Sequence, residues 1–136
     1  YVINRGRKPF DDEYKEAASQ WFYNVSMINS AAKSIGATYH LFLQPSMGLK
    51  PNQIPKLKNS NDYKLYAEVG SEHEYWVQIN RLYSHLKPMC EQLSFCFDIS
   101  QEVLPTGDVY KDPRHHNTKG NKILADVIFS KLILSD

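Results

Sequence analysis

Ala37-Thr38-Tyr39-His40-Leu41-Phe42-Leu43 is short, rich in β-formers and nearly continuous in bulk, as in a strand covered on both faces, and Gln44-Pro45 ends it. Immediately upstream, Tyr14, Ala18, Trp21, Val25, Ile28, Ala32 and Ile35 recur at steps of four and three, which puts them on one face of a helix. Asp11 and Asp12 supply caps and favourable charge at its start, and Gly36 sits where a left-handed C-terminal residue is needed, so the helix is predicted over 12–34. Downstream of the strand, residues 46–70 hold Pro51, Pro55 and several Lys and Asn with little period, and are predicted as a long loop at the strand's carboxyl end. Ser71 and Glu74 have capping-box spacing, and Tyr75, Ile79, Leu82 and Leu86 make a second helical face that Pro88 is expected to stop, giving a helix over 71–86. Leu93-Ser94-Phe95-Cys96-Phe97-Asp98-Ile99 alternates like a second strand, and Ile123, Leu124, Val127, Ile128 and Leu132 form a third helical face entered through Asn117 and Thr118. Strands alternating with amphipathic helices imply an α/β fold with parallel strands. Two strands are few for such a sheet, so the pattern reads as incomplete on its N-terminal side, with an open strand edge at 37–43 that invites another polypeptide or an oligomer.

Composition narrows the class. A chain of 136 residues is one domain at most, and 42% apolar content is enough for a folded core. The net charge of +1, from 16 basic and 15 acidic residues spread along the chain, gives no footprint for nucleic acid. No apolar run approaches the roughly 20 residues that span a bilayer, so no membrane span is expected. Arg5, Arg7 and Lys8 read as a solvated end, and Trp21 and Trp76 as core. Cys90 and Cys96, six apart, fit neither a disulfide framework nor a C-x-x-C site and read as buried thiols. Asn24-Val25-Ser26 has the form of a glycosylation sequon, but it falls inside the helix pattern, and such tripeptides arise often by chance.

Functional groups of open α/β sheets gather beyond the carboxyl ends of the strands. The segment there is Val109-Tyr110-Lys111-Asp112-Pro113-Arg114-His115-His116-Asn117, in which Asp112 and His115 stand three apart before the last helix. That spacing lets a carboxylate accept a hydrogen bond from the imidazole Nδ1, fixing the tautomer and leaving Nε2 as a base. Asp112-x-x-His115, followed by Asn117-x-x-Gly120-Asn121 and Ile123-Leu124-Ala125-Asp126-Val127-Ile128, resembles the last block of the SGNH, or GDSL-type, esterases and lipases. Gly36-Ala37-x-Tyr39, Phe42-Leu43-Gln44-Pro45 and Phe97-Asp98 extend the resemblance over nearly the whole chain. The resemblance implies the C-terminal part of a three-layer α/β/α flavodoxin-like parallel sheet, its N-terminal strands missing, with residues 1–136 as part of a single domain. It also implies a serine ester hydrolase acting on an acyl or acetyl ester through an acyl-enzyme, with no metal or organic cofactor. His115 is then the general base and Asp112 its orienting partner, while Gln44 is a candidate substrate contact. His116, one residue out of register, is expected to pack.

The G-D-S-type block that carries the family's nucleophile, and the glycine and G-x-N-D blocks that carry its oxyanion donors, do not occur. The serine is therefore expected from a segment upstream or from another chain, and this chain alone is expected to be inactive. Ser19, Ser26, Ser30 and Ser34 fall on the first helix, Ser71 reads as a cap and none lies in a G-x-S-x-G elbow; Ser46, just beyond the strand, is the least implausible internal substitute, itself better read as a turn residue. A metal site built on Asp112, His115 and His116 lacks a further element to complete four ligands, and His40, His73 and His85 have no supporting pattern. The alternative from another class is a noncatalytic binding or assembly module that retains the fold without the nucleophile.

Overall fold

The computed structural model describes residues 11–46, 49, 74–102, 109–111 and 115–133. Helix α1 runs Asp11–Ser34, strand β1 Leu41–Leu43, helix α2 Glu74–Glu91, strand β2 Cys96–Asp98 and helix α3 Thr118–Ile133. Asp11, Asp12 and Glu13 place negative charge in the first turn of α1, where the helix dipole favours it. Its end is a Schellman motif: the Ala37 N–H donates to the Ala32 carbonyl at 2.9 Å, the Gly36 N–H to Lys33 at 3.1 Å, and Gly36 takes a φ of 74°.

β1 and β2 pair in parallel, Leu41 with Cys96, Phe42 with Phe97 and Leu43 with Asp98, with α2 as the crossover. The two faces of this ribbon lead to different cores. Leu43 and Cys96 join Ala18 and Trp21 of α1 and Tyr83, Leu86 and Cys90 of α2 in one cluster. Phe42 and Phe97, stacked with centroids 5.1 Å apart, pack against the other, formed by Ile99, Val109, Tyr110 and Leu124. Period-two alternation along each strand produces this division.

Among the described residues, the three-layer flavodoxin-like α/β/α sheet is not formed. The described chain is mostly helical, 65% in three helices, and its sheet is two short parallel strands. Both expected strands, over 37–43 and 93–99, lose their leading ends to the helices before them. Ala37 closes the cap of α1, and Leu93 closes the turn after α2, accepting from the Cys96 N–H at 2.9 Å. Hydrogen bonds from Leu41 to Phe95 at 2.8 Å and from Ile99 to Leu43 at 3.1 Å then bound the ladder.

Three further expectations change. Pro88 does not stop α2, which continues to Glu91. A proline in the last turn forfeits one backbone bond, but burial of Cys90 in the core and the Leu93 N–H bond to the Cys90 carbonyl at 3.0 Å hold that turn. Cys90 and Cys96 are not free thiols; they form a disulfide, with Cα atoms 5.3 Å apart. The reversal between α2 and β2 brings the first residue of the strand beside the last turn of the helix, so a separation of six in sequence becomes a bonding distance. The apolar face of α1 is buried only in part: Tyr14, Ala18 and Val25 are in the core, whereas Ile28 and Ile35 are exposed. Ser71, His73 and most of the loop predicted over 46–70 lie outside the described residues.

Candidate functional site

The segment that carries the candidate chemistry returns to the carboxyl end of β2. Ile99 follows β2 directly, and Val109 and Tyr110 are buried against it and against Leu124 of α3. An antiparallel bridge joins Tyr110 to His116. The Lys111 N–H donates to the His115 carbonyl at 2.8 Å and the Asn117 N–H to the Val109 carbonyl at 3.0 Å. Two backbone hydrogen bonds thus fasten both ends of the segment holding Asp112, which itself lies outside the described residues.

Along a bridged, extended backbone, successive side chains point to opposite sides. His116 accordingly turns inward and lies on the Tyr110 ring, centroids 4.6 Å apart, while His115 is exposed. Burial lowers the His116 pKa below 6.5, and the charge of neighbouring His115 lowers it further. His116 is therefore a neutral packing residue at pH 7, its Nε2 buried without a hydrogen-bond partner among the described residues.

The helix that follows is positioned by two residues of the Asn-x-x-Gly turn. Asn117 is the N-cap: its Oδ1 accepts from the Gly120 N–H at 3.0 Å, and its carbonyl accepts the first helical bond, from Asn121, at 2.8 Å. Gly120 is where the helix meets the returning segment, and a Cβ there would collide with the Val109 carbonyl oxygen and the His116 Cβ. Only glycine lets the first turn of α3 lie against the backbone that carries the two histidines.

Gln44 follows β1 at the same, carboxyl, end of the ribbon and is exposed. Its carbonyl accepts a hydrogen bond from the Tyr83 hydroxyl at 2.7 Å, which ties the strand end to α2. Ser46 is buried, and its carbonyl accepts from the Leu49 N–H at 3.3 Å. Ser100, not singled out from sequence, stands two residues beyond β2 and is a serine at a strand's carboxyl end. It is only 1% exposed, with its backbone N–H donating to Asp98 Oδ1 at 2.9 Å, and so is sealed against attack on a substrate. Its only sequence signal was that position, since it lacks an elbow motif.

Among the described residues, no three His, Cys, Asp or Glu side chains gather as a metal set, and no helix is long and apolar enough to cross a membrane. Comparison of the chain with family models, with curated proteins and with solved structures found no match.

Proposed function

We propose that this chain supplies the Asp112–His115 arm of a serine ester hydrolase, with the nucleophilic serine and oxyanion donors coming from polypeptide outside residues 1–136. The observation that supports it is the sorting of the two histidines: the ring three residues after Asp112 faces solvent, and its neighbour is packed away. His115 takes the serine proton through Nε2 during attack on the ester carbonyl and returns it to the leaving alcohol, while the Asp112 carboxylate holds Nδ1–H and steadies the imidazolium. The substrate is an acyl or acetyl ester, and Gln44, at the same end of the ribbon, is the candidate contact to it.

The test is hydrolysis of a short-chain aryl ester by the full-length encoded protein and its variants. His115→Ala and Asp112→Ala are expected to lower kcat by about four powers of ten or more, whereas His116→Ala, if folded, retains the chemistry. A folded His115→Ala protein with an unchanged rate disposes of the proposal.

A noncatalytic assembly module is the second reading. The sheet favours it: two strands of three residues leave backbone groups on both outer edges unpaired among the described strands. A full-length protein that folds, forms a stable complex and hydrolyses no ester supports that reading.

A further inference from the structure

Asn24 stands on the outward side of α1, about 100° round the helix from buried Val25. It is followed by Val25 and Ser26, so an amide nitrogen is paired with a hydroxyl two residues on and no proline intervenes, the acceptor pattern for an N-linked glycan. The tripeptide alone is weak. Two independent features of the structure add to it.

The first is the disulfide between Cys90 and Cys96, which uses every cysteine in the chain. Disulfides persist in oxidising compartments, among them the lumen in which Asn-linked glycans are attached. The second is the surface around Asn24. Met27 and Ile28, one turn further along α1, are 54% and 49% exposed, and adjacent Tyr23 is 61% exposed. Three large apolar side chains flank one exposed amide, and the first sugars of a glycan would shield them from water. Gln20 Nε2 donates to Asn24 Oδ1 at 2.9 Å, so the amide oxygen is the engaged atom and substitution at Nδ2 leaves that bond intact.

We infer that Asn24 is an N-glycosylation site, modified in an oxidising secretory compartment, and that its glycan covers the apolar surface at Tyr23, Met27 and Ile28. The nitrogen Nδ2 displaces diphosphate from the anomeric carbon of a lipid diphosphate-linked oligosaccharide. One C–N bond forms, the C–O bond to the diphosphate breaks, the amide proton leaves with the diphosphate, and no atom changes oxidation state. In the finished helix Asn24 faces solvent, so a glycan on Nδ2 has room.

The test expresses the full-length protein in the secretory pathway of eukaryotic cells and digests it with peptide-N-glycosidase. Wild type is expected to fall in apparent mass, with conversion of Asn24 to aspartate visible in the peptide map. Asn24→Gln and Ser26→Ala are expected to abolish the shift, and Ser26→Thr to keep it. Thiol titration of the same glycosylated species is expected to find no free cysteine. Wild-type protein from that compartment with the 90–96 disulfide formed and Asn24 unmodified overturns the assignment.

Discussion

The bridge between Tyr110 and His116 fixes which of two adjacent histidines meets solvent, and the chemistry of each follows from that placement. A buried imidazole nitrogen without a partner costs about 1–3 kcal/mol relative to one that is bonded, and protonation makes the burial costlier. Because burial lowers the folded-state pKa of His116 below 6.5, the unfolded chain takes up the proton first as pH falls. The unfolded state then binds more protons than the folded one, so stability rises with pH in that window. This group has no effect above the unfolded pKa; stability falls as pH drops through about 6.5 and levels off below the lowered value. His116→Phe, which keeps a ring against Tyr110, is expected to flatten this part of the Tm-against-pH curve, and an unchanged slope would assign the acid sensitivity elsewhere. Gly120 sets the second limit at this scale. Gly120→Ala forces a methyl group into the Val109 carbonyl and the His116 Cβ, and a backbone carbonyl has little room to give. A loss of about 1–3 kcal/mol in urea unfolding is expected, with displaced amide resonances for 109–111 and 115–117. Wild-type stability with undisturbed resonances would mean that the helix start is not so tightly docked.

At the scale of elements, α1 and the parallel pairing were legible from sequence, and the extent of the sheet was not. The four-and-three periodicity, the acidic first turn and Gly36 bracket α1, because each acts within a turn or two of its own position. Strand length depends on what neighbouring helices take from each segment: Gly36 marks where α1 ends, but no local pattern records that Leu93 serves to close the turn after α2. The disulfide was hidden for the same reason: six residues say nothing about a bond until the chain between them is known to reverse. A closed loop this short stabilises by about 2 kcal/mol through loss of unfolded-state freedom. Cys90→Ala with Cys96→Ala is expected to lower stability by at least that much, since the Cys90 side chain is also in the core. Reduction without substitution is expected to give the smaller of the two losses. Equal losses would place all of the effect in the cross-link and none in packing.

At the scale of the whole molecule, the described chain leaves its sheet thin and part of its helical surface apolar. An isolated two-stranded sheet is marginal in water, and here helices support its faces but no described strand covers its edges. Phe129 and Ile133, near the end of α3, and Ile35, past the end of α1, are exposed. These exposures lie apart from Asn24 in sequence: a glycan on α1 shields its own turn, and α3 and the strand edges keep their need for a partner. Open edges and exposed aromatic and branched side chains favour association over a lone chain, whether the partner is another segment of polypeptide or a second copy. Light scattering on the chain by itself is expected to give a mass that rises with concentration above the 15.7 kDa of one copy. Phe129→Glu with Ile133→Glu is expected to weaken that association if α3 contributes to it, and to leave it unchanged if the edges alone do. A chain that stays at one mass up to high concentration would show that its edges need no covering, and would remove the main support for the assembly reading.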